Sequence, residues 1–342
     1  MSWTSAYSSE TAFWHALRRR ATEDAKHSRV QQPELLRMFV MQRFMARMFE
    51  NPSAPWIVAG GTNLLIRIPG ARSTRDIDLN TTSANYGTLD SIRADLEPAI
   101  GENPDLDPFD FVIDQKVGTF TGGLQGSSWR INATIGGQRA AVFGLDLAAD
   151  DTTAVSDIER REVTPAVSDM RGFTPPPPLP LFPLESQLAD KIASVSFRDE
   201  FGRNTSRYRD LVDLAIFAGH VDVDADKLRT ALARRAAGRN RAVPQRIDVS
   251  PDWAEGYRKT AATTNLPEGL LTVEAATDAV SAWLDPVLHG EVPEASVWDH
   301  HAGVWRSADD APTKPGHVWV RPHTRDGYAV IDYYRRRPQS RS

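Results

Sequence analysis

Apolar positions recur at helical spacing near the start of the chain. Between Ser9 and Ala25, Phe13, Ala16 and Leu17 share a side of a helix that Ser9 can cap. From Pro33 to Phe49, Leu36, Phe39, Val40, Phe44 and Met48 form one stripe, which reads as core. The period then changes. "APWIVAGG" is a short apolar run stopped by two glycines and predicts a buried strand; "TNLLIRI" predicts the opening of a helix, and "TRDIDLN" a second strand reached through "GARSTR". A helix is expected from Ser83 to Ile100. Three β-like runs follow, in "FDFVI", "TFTGGLQGSSWRINATIGG" and "RAAVFGLDLAA", with the alternation of "WRINATI" supporting strand.

Four consecutive prolines in "TPPPPLPLFPLES" break this pattern, because proline supports neither a helix interior nor an inner strand. Beyond them the helical period returns five times, in "LESQLADKIASVSF", "SRYRDLVDLAIFAG", "DADKLRTALARRAAG", "SPDWAEGYRKTAAT" and "TVEAATDAVSAWLDPVLHG". The expected division is residues 1–173 with strands and N-terminal helices, a stiff connector over 174–183, a helical domain over 184–300, and an unassigned appendage over 301–342. The fold class is α+β: a core with a mixed sheet, then a mainly helical C-terminal domain.

The 342-residue length suits two domains, and 41% apolar with 25% charged residues is globular composition. The absence of cysteine excludes disulfides, cysteine-based zinc sites and thiol catalysis. The N-terminal segment lacks a signal-peptide layout, and no apolar run reaches membrane-span length, so a soluble cytoplasmic protein without membrane contact is expected. The net charge of -5 does not advertise nucleic-acid binding. Two stretches, Lys227 to Arg246 and Arg335 to Arg341, are nonetheless strongly basic. Alone they read as a solvated helix face and a tail, and they also suit phosphate contacts.

In a strand, residues two apart point the same way, so Asp76 and Asp78 share one face while Ile77 and Leu79 turn to the other. Two bare carboxylates about 4 Å apart repel by roughly 4 kcal/mol at an effective dielectric near 20. A divalent cation relieves this directly, and Mg²⁺ prefers carboxylate and phosphate oxygens. Upstream, Gly60 and Gly61 follow a buried strand and precede a helix, where backbone N–H groups can face an anion and Thr62 adds a hydroxyl. Neither a Walker A motif nor a dinucleotide-binding glycine fingerprint is present. An edge strand with two exposed acids after an ordinary tight turn would also account for these residues.

Strand, Gly-Gly, helix, and a strand with Asp-x-Asp together resemble the polymerase-β-like nucleotidyltransferase superfamily. More closely, "WIVAGGTNLLIRIPGARSTRDIDL" resembles the AbiEii-type abortive-infection nucleotidyltransferase toxins of type IV toxin–antitoxin systems, through Gly60-Gly61-Thr62-Asn63-Leu64, the arginines 67, 72 and 75, and Asp76-Ile77-Asp78-Leu79. "FGLDLAADDTTAV" is similar to the family's later acidic strand and makes Asp146 the third carboxylate. "FPLESQLADKIASV" is similar to its lysine-bearing helix and points to Lys191; "RYRDLVDLAIF" supplies Asp210 and Asp213. The last forty or so residues fall outside the resemblance.

The resemblance implies Mg²⁺ (or Mn²⁺) held by Asp76, Asp78 and Asp146, and an NTP contacted by Gly60, Gly61, Thr62, Arg67, Thr74 and Lys191. It places Asp210 and Asp213 in the catalytic set without choosing between them. It makes residues 1–173 the nucleotidyltransferase domain and 184–300 the part that completes the active site. It also implies NMP transfer to an acceptor, the 3′ end of tRNA in related toxins, which blocks charging and translation, and a cognate antitoxin as partner. Read without the resemblance, Lys191 is equally a lysine at the edge of an apolar stripe, and the two aspartates, three apart on a helix, equally form a salt-bridge network with it and with Arg207 or Arg209. Modification of a protein or small molecule, an inactive nucleotide-binding module and a plain helical interaction protein are the competing functions.

Overall fold

The computed structural model describes residues 3–81, 96–97, 101, 106–119, 125–149, 158–196 and 207–307, with four short strands between 317 and 336. In chain order the elements are α1 (Trp3–Ala6), α2 (Glu10–Lys26), α3 (Gln32–Met48), β1 (Trp56–Ala59), α4 (Gly60–Arg67), β2 (Asp76–Thr81), β3 (Asp110–Thr119), β4 (Gln125–Ile135), β5 (Gln138–Ala149), β6 (Glu159–Arg161) and β7 (Leu179–Leu181). They continue with α5 (Leu184–Ser196), α6 (Tyr208–Ala218), β8 (Val223–Asp224), α7 (Ala225–Gly238), α8 (Ala254–Ala261), α9 (Val273–Leu288), β9 (Val297–Asp299) and β10 (Val304–Arg306). The helix expected between Ser83 and Ile100 lies almost wholly outside the described residues. The chain forms two compact units, one of residues 1–156, 161–182 and 259–266, the other of 157–160, 183–258 and 267–342.

A mixed sheet organises the first unit. Its order is β3-β4-β5-β2-β1-β7, with β6 beyond β7 entering the unit at Arg161. β2 runs parallel to β5 and antiparallel to β1, and β1 runs parallel to β7. Strict alternation sorts the side chains. Ile77 and Leu79 of β2, Phe143, Leu145 and Leu147 of β5, and Trp129, Ile131 and Ala133 of β4 are buried in the core that α2 and α3 also enter. Helix α2 starts where the cap residue predicts: Ser9 Oγ accepts from the Ala12 N–H at 3.1 Å. The α3 stripe from Leu36 to Met48 is buried. Helix α3 also carries two buried arginines. Arg47 Nη2 lies 2.6 Å from Asp107 Oδ1, and Arg43 Nε 3.5 Å from Asp107 Oδ2, which ties the chain entering β3 to the helix.

The proline-rich segment departs from expectation at its end. Leu179–Leu181 is a strand rather than connector, its two leucines buried and Phe182 N–H donating to Val58 O at 2.8 Å. Leu179 and Leu181 are core residues and Leu181 is the register partner of Val58, so the segment joins the sheet although Pro180 has no N–H to donate.

The second unit is mainly helical. Asp224 caps α7 by accepting from the Asp226 and Lys227 N–H groups at 2.9 and 3.0 Å. Trp283, Trp298 and Trp305 form a row with centroids 5.9 and 5.6 Å apart, beside the three-stranded sheet β10-β9-β8. Residues 297–306 thus belong to the packed unit. Further on, His317–Val320 pairs with Tyr333–Arg336, and His323–Arg325 with Tyr328–Val330, giving the C-terminal stretch a β character. Among the described residues no helix is long and apolar enough to cross a membrane.

Candidate active site

The parallel pairing of β2 with β5 places Asp78 opposite Asp146 and Asp76 opposite Gly144. Register partners in adjacent strands share a face, so Asp76, Asp78 and Asp146 stand on the side of the sheet away from Ile77, Leu79 and Leu145. β4 adds Ser128, the register partner of Asp146 across the antiparallel pair.

Two missing side chains make room for two carboxylates. Gly60 has φ 56°, a left-handed conformation that favours glycine, and a β-carbon there would lie 2.0 Å from Asp78 Oδ2. A β-carbon on Gly144 would lie 2.2 Å from Asp76 Oδ1. The glycine pair expected to face a phosphate therefore has a partner inside the protein. Gly61 N–H donates to Asp78 Oδ2 at 3.1 Å, so the start of α4 already meets a negative charge.

The backbone of Asp76 is held from two sides. Thr62 Oγ1 donates to Asp76 O at 3.1 Å and Thr74 Oγ1 to the same oxygen at 3.0 Å, while Asp76 N–H points to Thr74 Oγ1 at 3.3 Å. Both threonines are buried. Arg67 is also turned inward, its Nε donating to Asn63 Oδ1 at 2.7 Å and its Nη2 to Phe182 O at 3.0 Å. Asn63 Nδ2 donates to Val58 O and Phe182 O at 3.0 and 2.9 Å. Thr62, Thr74 and Arg67 thus fix α4 and β2 in place.

The Asp146 carboxyl is pushed above the usual carboxylate range, chiefly by burial and further by the charge of Asp76; a hydrogen bond from Ser128 opposes the shift. Among the described residues no group of three or more His, Asp or Glu is arranged to hold a metal ion by itself. A Mg²⁺ site does not need one, since this ion is usually bound by one or two carboxylates together with substrate phosphates and water. An all-oxygen pair, with glycines opposite both carboxylates, fits such an ion.

Within the second unit, Lys191 Nζ lies 2.5 Å from Asp213 Oδ2 and 3.2 Å from Asp210 Oδ1. Lys191 is 6% exposed and Asp213 fully buried. Arg207 Nε approaches Asp210 Oδ2 to 3.4 Å. The three residues singled out in this half are therefore brought together, as an ion-pair network joining α5 to α6.

Sequence reasoning missed Ser128 and Gly144. An isolated glycine within a strand pattern signals close approach of another group, so Gly144 was open to detection. Ser128 carries no such mark.

Comparison with known proteins matches residues 43–284 to the family model of the AbiEii nucleotidyltransferase toxins of type IV toxin–antitoxin systems. Among solved structures, MenT4, a nucleotidyltransferase toxin from Mycobacterium tuberculosis H37Rv, is 15% identical at a TM-score of 0.50, with 80% of this chain and 89% of that chain covered. A protein from H. pylori, provisionally described as a nucleotidyltransferase, is 14% identical at a TM-score of 0.40, covering 77% and 99%. No curated protein matches the sequence.

Proposed function

Because the chain belongs to the AbiEii nucleotidyltransferase toxin family, we propose that it transfers NMP from an NTP to the 3′ end of tRNA and so blocks translation. The observation that carries this reading is the acidic face itself, with Asp76, Asp78 and Asp146 on one side of β2 and β5 and glycines where two of them need space.

Asp76 and Asp78 would hold a divalent cation, with Asp146 completing the acidic set. When bound, that ion supplies the positive charge that lets carboxylates and a triphosphate share one site. The protein's own part is positioning. Thr62 and Thr74 hold the Asp76 carbonyl, Gly61 N–H orients the Asp78 carboxylate, and Ser128 holds Asp146. In phosphoryl and nucleotidyl transfer such positioning and charge stabilisation supply most of the catalysis. Lys191, Asp210 and Asp213 are assigned to the reaction by the resemblance of their helices to the family's. The family also implies a cognate antitoxin as partner.

The test is incubation with labelled NTPs, Mg²⁺ and total tRNA, repeated with Asp78→Ala. Label in the RNA 3′ terminus, absent with the variant, is the expected result. Nucleotide binding without transfer to RNA or protein would instead make the chain an inactive nucleotide-binding module, and transfer to protein alone would change the acceptor.

A further inference from the structure

Arginines gather where α7 ends. Arg235 and Arg239 stand one helical turn apart. The chain then folds back, the Arg239 and Arg241 N–H groups both donating to Ala236 O at 3.2 and 2.9 Å, with Asn240 at φ 51°. On the neighbouring α5, Asp190 and Ser194 are also one turn apart. Arg235 Nε lies 2.5 Å from Asp190 Oδ1, and Arg207 Nη2 donates to Ser194 Oγ at 3.1 Å. Arg207 and Arg235 therefore flank one strip of α5.

Arg239 sits among these groups. Its guanidinium is held below the usual arginine range, first by burial and then by the charge of Arg235, with Arg207 and Arg241 adding to it and Asp190 opposing. Arg239 thus feels three other guanidiniums, of which Arg235 meets Asp190 and Arg207 meets Asp210, which also serves Lys191. The carbonyl end of α7 favours cations in its own last turn. That accounts for Arg235 and Arg239 but not for Arg207 and Arg241, which arrive from outside the helix.

We infer that Arg207, Arg235, Arg239 and Arg241 form the surface on which the phosphodiester backbone of the acceptor RNA docks. This rests on RNA being the acceptor. Guanidinium forks match paired phosphate oxygens, and releasing counterions from a polyanion rewards a cluster of like charges. The nucleotide substrate is a poorer fit. A triphosphate is usually cradled by backbone N–H groups at a helix start, whereas three of these four cations gather at the end of α7 and only Arg207 stands at a helix start, as the N-cap residue of α6.

The test uses the full chain and a labelled single-stranded RNA, with binding followed by anisotropy across a KCl series. Arg239→Gln with Arg241→Gln should weaken binding at least tenfold at physiological salt. The slope of log Kd against log [KCl] should flatten by about 0.7 for each RNA phosphate that is no longer neutralised. Arg234→Gln, at an exposed position on the same helix and with the same formal charge change as Arg241→Gln alone, should stay within twofold of the parent. Arg241→Gln alone, at an exposed position, carries the test if Arg239→Gln does not fold. An unchanged slope and affinity in the double variant, or an equal weakening in Arg234→Gln, overturns the surface. So does loss of inorganic tripolyphosphate binding with RNA binding unmoved, which would assign the arginines to the nucleotide. Transfer is assayed separately on the parent. Arginine-dependent RNA binding without any transfer to RNA keeps the surface and fells the proposed reaction; transfer to RNA with an arginine-independent salt slope does the reverse.

Discussion

Asp78 occupies the space in which a side chain on Gly60 would begin, its Oδ2 lying 2.0 Å from where that β-carbon would be. Gly60→Ala therefore carries two penalties, a left-handed backbone conformation and a displaced carboxylate. Gly137 separates them, with φ 73° and nothing within 4 Å of an added β-carbon. Gly137→Ala is expected to cost about 1–2 kcal/mol of stability from the backbone alone and to leave turnover intact. Gly60→Ala should cost ~1–3 kcal/mol more through overpacking and remove most turnover. Thermal melts and label-transfer rates on the two variants check this; equal effects on turnover would separate Gly60 from the site.

The two threonine hydroxyls on the Asp76 carbonyl back each other up. Thr62→Val leaves Thr74 in place and should cost about 0.5–1.5 kcal/mol; Thr74→Val also takes the acceptor from the Asp76 N–H and should cost more. The double variant should exceed the sum of the singles, because neighbouring residues that share a partner couple. Urea unfolding of the three variants measures that coupling. Turnover should follow the same pattern if the Asp76 backbone sets the position of its carboxylate.

Alternation made one part of this site legible in advance. Ile77 and Leu79 had to turn inward, which put Asp76 and Asp78 together on the other face, and the structure has them so. The partners of the glycines and threonines were hidden for a physical reason. Periodicity reports which face a residue takes, not which distant residue meets it, and Gly60 finds Asp78 only once β1 and β2 have paired. Arg67 is the clearest case: its partner Phe182 O is 115 positions away, at the end of a strand that the prolines disguised. Lys191 was legible as either catalytic or ion-paired, and the network with Asp210 and Asp213 gives the pairing without deciding the chemistry.

That decision is open to experiment because Asp213 is fully buried. Lys191→Ala removes the buried cation that Asp210 and Asp213 share and should destabilise by about 3–5 kcal/mol; Asp213→Ala should cost less, because Asp210 still faces Lys191. Lys191→Met with Asp213→Leu removes both charges and should recover most of that stability. Denaturant unfolding checks the stabilities and label transfer the turnover. A stable double variant without activity gives Lys191 or Asp213 a chemical role beyond the fold, whereas restored activity makes the pair structural.

Glu185 gives the fold a pH dependence of its own. Its carboxyl is raised above the ordinary glutamate range, chiefly by burial; its own backbone N–H and the charge of Lys227 oppose the shift, as does the Asp224 N–H, which reaches Glu185 Oε1 at 3.4 Å. A carboxyl whose value is raised on folding holds its proton more tightly in the folded state. Its contribution to stability is therefore complete below the unfolded value and disappears as pH climbs through the folded one. Glu185→Gln keeps the acceptor oxygen and cannot ionise. The variant should match the parent in acid, gain on it progressively above the ordinary glutamate range, and hold a constant advantage once the parent's carboxyl is fully ionised. Melting temperatures of both proteins from about pH 4 to pH 8 test this around the unperturbed glutamate value near 4.3. A difference that does not change with pH would mean that Glu185 titrates alike in the folded and unfolded chains, and that water rather than protein surrounds its carboxylate.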